Sequence, residues 1–382
     1  MDNPFTLGVE EEFQIVHPGT RELRSYVSKI LDEGEKTVLR ERVRAEMHQS
    51  MVETGTGICR DIHDVRKELI ELRSGLDSLA RKGGLRIIAA STHPISDWKT
   101  QEITQHARYD KIVEDLQDVA RANLIFGLHV HVGFTDKNVA MEMANQVRYF
   151  LPHVLAITTS SPFWLGRNTG LKSVRCEVFK RFPRTGVPGT FSSYAEFEEY
   201  VNLLIHTGCI DNAKKIWWDV RVHPFFDTVE VRIADMPTNI EHTISVVALI
   251  QAIFAQLYLL YKRNMAWRAY PSVLIEENKW RAVRYGMQGK LIDFGKKCEV
   301  PVSDLILELL DFVDEAAGML GTRKDLEGIK RILEEGTSAD RQLEVYRKSG
   351  GDTKAVVDWL IEETMRGLPK SDSTPPPGII ST

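Results

Sequence analysis

The segment Gly8-Val9-Glu10-Glu11-Glu12-Phe13-Gln14-Ile15 sets three consecutive acids inside an otherwise apolar run close to the N-terminus. On a β-strand the side chains alternate, so Glu10, Glu12 and Gln14 share one face while Val9, Phe13 and Ile15 take the other. Carboxylates two positions apart on one face repel each other unless a cation lies between them. Hard oxygen ligands presented in pairs suit Mg²⁺ or Mn²⁺. A solvated strand face is the plainer reading of a lone E-x-E, so the question is whether other segments repeat the habit.

Three do. A strand predicted over 42–54 carries Glu46 and Glu53 among apolar or small residues. Their spacing is odd, so a regular strand turns them to opposite faces, and both line one site only across a bulge or bend. A strand predicted over 125–134 presents His129 and His131 on one face, with Val130 and Val132 on the other. A hairpin predicted over 215–223 and 228–234 presents Arg221 and His223, then Glu230 and Arg232. Each pair alone is explained by hydrogen bonding or by a charged cross-strand neighbour. Together they describe a sheet with one face apolar under helices and the other forming the wall of a cleft. Its acids bind metal and its arginines bind the anion that the metal also holds.

The rest of the chain supplies the backing. Asp61 caps a helix through Arg81, with Val65, Leu69, Leu72, Leu76 and Leu79 at helical spacing and Gly83-Gly84 as its stop. Leu85 to Ala90 reads as a short buried strand, and 106–124 as an amphipathic helix. Asp136 or Asn138 opens a helix toward Thr159, with an interruption expected at Pro152. Residues 160–189, rich in Gly, Pro and Arg, read as a long functional loop suited to close over the cleft as a lid. After Asn239 helices dominate. The expectation is one domain over 1–368, mixed over 1–238 and helical over 239–368, with a disordered tail at 369–382. The apolar stretch 244–261 resembles a short membrane span, but Ser245, Gln251 and Gln256 favour a buried helix.

Composition narrows the function classes. With 49 basic against 54 acidic residues and a formal charge of -5, the chain is no nucleic-acid binder relying on a positive field. Small polar substrates remain. The four cysteines lack any C-x-x-C spacing, which suggests neither a zinc site nor a disulfide framework and fits a reducing cytoplasm. No secretory signal is read at the start, no membrane anchor is expected, and a homo-oligomer such as a dimer is left open.

Taken in order, Gly8-Val9-Glu10-Glu11-Glu12-Phe13, Glu53-Thr54-Gly55-Thr56, Leu128-His129-Val130-His131-Val132-Gly133, Ser161-Pro162-Phe163-Trp164, Trp217-Trp218-Asp219-Val220-Arg221 and Val229-Glu230-Val231-Arg232 resemble the carboxylate-amine ligase family, also called glutamate-cysteine ligase type 2. The resemblance runs to about residue 366. It implies an α+β, glutamine-synthetase-like fold in which an antiparallel sheet of about six strands forms a funnel backed by helices. It implies metal-binding carboxylates at Glu10, Glu12, Glu46, Glu53 and Glu230, with His129 beside them, and Arg232 on the nucleotide phosphates.

The expected protein is thus an ATP-dependent ligase that joins a small-molecule carboxylate to an amine through an acyl phosphate, with Mg²⁺ or Mn²⁺ and with glutamate and cysteine as one candidate pair. Arg232 and Glu53 are the expected catalytic residues and His131 a second nucleotide contact. Arg175 and Arg221 are candidates to grip the substrate carboxylate, with Trp218 as a pocket wall. Asn168 where the family has Asp, Lys172-Ser173-Val174 before Arg175, and Val222 where Pro is common depart from the pattern and are expected to bear on substrate choice. A metal-dependent amidohydrolase-type hydrolase and a guanidino-kinase-like phosphotransferase are the rival enzymes.

Overall fold

The acidic segment is the axis of the main sheet. In the computed structural model, which describes residues 5–369 apart from Lys36 and Val38, the strands are β1 (Leu7–Val16), β2 (Val43–Ala45), β3 (Met51–Gly55), β4 (Arg86–Ile88), β5 (Leu128–Gly133), β6 (Phe163–Trp164), β7 (Arg167–Asn168), β8 (Val220–Val222), β9 (Thr228–Val231), β10 (Lys290–Asp293) and β11 (Cys298–Pro301). Seven form one sheet in the order β2-β3-β1-β5-β9-β8, with β4 also paired to β1. Every pairing in it is antiparallel, as the α+β funnel requires. The predicted tail beyond Pro369 lies outside the described residues.

Alternation decides which face is which. Val9, Phe13 and Ile15 of β1, Leu128, Val130 and Val132 of β5, Val220 and Val222 of β8, and Val229 and Val231 of β9 are all buried in one continuous core. Against them lie the helix Ile62–Lys82, through Leu69, Leu72 and Leu76, and the helix Ile240–Lys262. Each such side chain contributes about 1.5–3 kcal/mol when fully buried. The second helix is long and apolar enough to cross a membrane, yet 83% of its most apolar window is buried inside the protein. Its Gln251 Nε2 donates to the Phe5 carbonyl, which satisfies a polar group within the core.

Glu11, by parity, falls on this apolar face. It survives there because Arg73 from the helix Ile62–Lys82 meets it through Nε and Nη2, both side chains being fully buried. Arg73 spends its remaining donors on the Thr238 carbonyl and Thr243 Oγ1. A buried charge that keeps a partner and satisfied donors is tolerated, whereas either one alone is not.

Several expectations needed correction. Residues 42–54 are not one strand but a hairpin, β2 and β3, with Arg44 opposite Glu53 and Ala45 opposite Val52. The helix expected over 106–124 breaks at Gln117, whose φ is 51°. The interruption expected at Pro152 occurs just before it, as a 3₁₀ turn over Arg148–Phe150, and Pro152 sits in the first turn of the next helix, where its missing N–H costs nothing. The helical last third contains the β10–β11 hairpin. The segment 160–189 is no open lid. It holds the β6–β7 ribbon and the helix Val174–Phe179, and Ser160 N–H, Ser161 Oγ and Ser173 Oγ all donate to buried Asp235.

Candidate active site

The face of the sheet opposite the helices walls a cleft of about 450 Å³. Cross-strand register arranges its side chains in rows, because residues paired across an antiparallel sheet share a face. One row runs Arg44, Glu53, Glu12 across β2, β3 and β1. The next runs Gly55, Glu10, His129 across β3, β1 and β5. A third runs Gly8, His131, Glu230, Arg221 across β1, β5, β9 and β8. The β2–β3 hairpin resolves the odd spacing of Glu46 and Glu53. Glu46 lies two residues beyond Arg44, which pairs with Glu53, so chain reversal returns both carboxylates to one face.

Arg232 stands two residues after Glu230, so alternation already turns it to the cleft, and the strand pairing is broken just beyond it. Val130 pairs with Val231, while Gly127 bridges Asp235. The chain after β9 therefore spends one residue more than β5 over this stretch, a bulge of the kind common beside active sites. Arg232 Nη1 meets Glu230, which also accepts from Arg221 Nε at 2.7 Å.

The electrostatics divide the acids into two sets. Burial alone raises the pKa of every carboxylate here, but Arg221 and Arg232 hold Glu230 well below its ordinary range, and hydrogen bonds with His129 and His131 do the same for Glu10. Glu12 is pushed up to about 8 by burial and by Glu46 beside it. Burial and the neighbouring acids push Glu53 well above its usual value, and burial raises Glu46 as well. His129 is pushed down to about 4 by burial and by Arg232, so at neutral pH it is uncharged and offers a lone pair.

Among the described residues, two groups each place their donor atoms within 4.8 Å of one another, Glu10/His129/Glu230 and Glu12/Glu53/His129. Glu12 and Glu53 are direct cross-strand partners, so when both are ionised their repulsion favours a cation between them. The donor set of carboxylates with one neutral imidazole fits a hard divalent ion. Glu46 lines the same cleft outside either group.

The structure gathers Glu10, Glu12, Glu46, Glu53, His129, His131, Arg175, Arg221, Glu230 and Arg232 around one space. It does not bring Trp218 there. That indole stacks on Tyr200 at 5.5 Å and packs against Phe191 and Phe197, away from the cleft, while its neighbour Trp217 lines it. Arg221 is present but committed, since Nη1 donates to the Lys214 and Ile216 carbonyls and Nε to Glu230. Arg175 sits beside Gly127 at the Glu12 end, its Nη atoms held by the Ile233 and Arg232 carbonyls at 3.1 and 3.0 Å and its Nε without a hydrogen-bond partner among the described residues.

Sequence reasoning missed Arg44, Arg108, Lys214 and Trp217. Arg44 was accessible, since it alternates with Glu46 once the turn is recognised. Arg108 and Lys214 gave no local signal because tertiary packing alone brings them to the rim. The departures noted at 168–174 and 222 do not line the cleft. Asn168 is exposed, Lys172 pairs with Asp340 at 2.5 Å, Ser173 binds Asp235, and Val222 faces the core.

A profile of Glutamate-cysteine ligase family 2 (GCS2) matches residues 6–359. The chain belongs to this family. A relative from Sorangium cellulosum (strain So ce56), provisionally named glutamate–cysteine ligase 2, is 65% identical over 369 residues, covering 96% of this chain and 98% of its own. A relative of the same provisional name from Herpetosiphon aurantiacus is 53% identical, over 97% of this chain and 96% of its own. Among solved structures, glutamate–cysteine ligase from Francisella tularensis, in complex with AMP, superposes with a TM-score of 0.70 at 14% identity, covering 96% of this chain and 90% of that one. A bifunctional glutathione synthetase from Pasteurella multocida also gives 0.70, at 12% identity, over 95% of this chain and 52% of that one. At those identities the structures speak for the fold, and the family for the chemistry. The protein is an ATP-dependent ligase that forms C–N bonds between a carboxylate and an amine. The hydrolase and guanidino-kinase alternatives find no support.

Proposed function

We propose that this cleft phosphorylates a small-molecule carboxylate with ATP and passes the resulting acyl group to an amine. The observation that carries this is the convergence of Glu10, Glu12, Glu46, Glu53, Glu230 and His129 with Arg232 on one sheet face, a set suited to phosphoryl transfer. Glu10, His129 and Glu230 would hold one Mg²⁺ or Mn²⁺, and Glu12 and Glu53, with Glu46 alongside, a second. A divalent ion bound there supplies charge neutralisation for the phosphates.

The remaining roles belong to the chain. Arg232, fixed by Glu230, stabilises charge on the transferred phosphoryl group, worth about 3 to 4 kcal/mol for a preorganised donor in a dry site. Arg221 is a positioning residue that holds Glu230. Arg175, whose Nε has no hydrogen-bond partner among the described residues, faces the carboxylate end, and Arg44 and Arg108 add positive charge at the rim. The carboxylate oxygen attacks the γ-phosphorus and the bond to the β-bridging oxygen breaks, releasing ADP. The amine nitrogen then attacks the acyl carbon, loses a proton, and phosphate departs with the former carboxylate oxygen. Glutamate and cysteine, from the names of the relatives, are the first pair to try, and four cysteines free of disulfides suit a cytoplasmic setting.

The test supplies ¹⁸O-labelled carboxylate with ATP and an amine, the pair being found from ADP release over a grid of acids and amines. Label entering phosphate in step with amide formation is expected. Unlabelled phosphate alongside full amide yield would exclude the acyl phosphate.

A further inference from the structure

The lip of the cleft carries two aromatic side chains for which phosphoryl chemistry has no use. Phe225 and Phe226 sit on the turn between β8 and β9, 60% and 56% exposed, and both line the cleft. Phe226 lies flat on His223, with centroids 4.4 Å apart and 7° between planes, and stands edge-on to His131 at 6.3 Å. His223 Nδ1 accepts the backbone N–H of Phe225 and Phe226 at 3.2 and 2.9 Å, which pins the turn to the ring beneath it. Lys214 Nζ stands 4.9 Å from the Phe225 ring centroid. A half-exposed phenyl with one face already stacked presents the other to a flat partner.

The rows of the sheet give that partner its direction. Arg175, Gly127 and Glu12 mark one end of the cleft, and Glu10, His129 and Arg232 the middle. His131 lies two residues further along β5, about 7 Å on at the rise of an antiparallel strand, and the turn lies beyond it. A nucleotide whose terminal phosphate meets Arg232 leaves the Arg175 end to the substrate carboxylate, so its base extends toward the turn.

We infer that Phe225 and Phe226 form the base-stacking platform of the nucleotide site, with Phe226 stacking on the purine and Phe225 flanking it. This rests on the ATP use proposed above. Stacking reads ring area rather than hydrogen-bonding edges, so the platform favours purine over pyrimidine nucleotides.

The experiment measures binding of ATP, GTP, CTP and inorganic triphosphate by titration calorimetry with Mg²⁺ and no carboxylate, alongside KM for ATP. Wild type binds ATP and GTP more tightly than CTP. Phe226→Ala weakens ATP about five- to hundredfold, by the usual worth of one stacked base, flattens the ATP-to-CTP preference and leaves triphosphate unchanged. Phe226→Trp restores purine binding. Undiminished ATP affinity in Phe226→Ala overturns the platform and leaves the ligase intact, as does an equal loss for ATP and triphosphate. A wild type that binds no nucleotide removes the ligase reading and the platform with it.

Discussion

Gly127, whose N–H donates to Glu12 beside the cleft, has no left-handed backbone, so it is close approach rather than conformation that calls for glycine. A Cβ built there falls 2.5 Å from Arg175 Nη2, 3.1 Å from its Cζ and 3.2 Å from His129 Nε2. Ordinary contact begins near 3.5 Å, so in Gly127→Ala the guanidinium must retreat by about 1 Å. Its hydrogen bonds to the Arg232 and Ile233 carbonyls, at 3.0 and 3.1 Å, do not survive such a shift. Overpacking of this size costs about 1–3 kcal/mol of stability, and a 1 Å misplacement beside the chemistry costs about a hundredfold in rate. The expected phenotype is a folded protein with kcat/KM for the carboxylate lowered about a hundredfold. Steady-state ADP release measures the rate and urea unfolding the stability. Because the clash is with Arg175, Gly127→Ala should add little to Arg175→Ala in a double-mutant cycle. Unchanged kcat/KM in Gly127→Ala, or full additivity of the pair, would refute the account of this contact.

Arg73→Met strands the Glu11 carboxylate inside the core and should cost about 3–5 kcal/mol, read as a fall in the urea midpoint. Glu11→Leu combined with Arg73→Met should recover most of the loss, and a double variant as unstable as the single one contradicts the pairing. Trp217→Ala should raise substrate KM with the fold intact, whereas Trp218→Ala should cost up to about 3 kcal/mol of stability with KM unchanged; the reverse pattern would return Trp218 to the cleft. Burial pushes His93 down to about 3 and His48 to about 4. Their folded pKa lies below the unfolded value near 6.5, so the unfolded chain takes up protons first. The stability they contribute is complete above about pH 6.5 and is lost as pH falls toward 4 and 3, by about 1.4 kcal/mol per pH unit for each histidine. Urea midpoints for His93→Gln between pH 7 and 5 should fall less steeply than those of wild type, and identical slopes would assign the acid sensitivity elsewhere.

The rows of the site were half legible in the chain. Alternation within a strand is local, so the sequence by itself determined that Glu10 and Glu12 share a face, that His129 and His131 do, and that the valines beside them turn inward. It likewise marked the Asp61 cap, where the side chain accepts the His63 and Asp64 N–H groups as read. Register between strands is a different kind of fact. Whether Glu12 meets Glu53, or Glu230 meets His131, depends on loop lengths and on which apolar faces pack together, and no window of sequence holds both partners. The turn at Glu46–Ser50 shows the difference, since an unbroken strand and a hairpin have nearly the same local composition, yet only chain reversal brings Glu46 and Glu53 to one side. The same reason explains the exchange of Trp218 for Trp217 and the engagement of Arg221 by Glu230 and two carbonyls. Which atoms a side chain can reach is settled by the whole sheet and the helices behind it, after the pattern along each strand has settled only the direction in which it points.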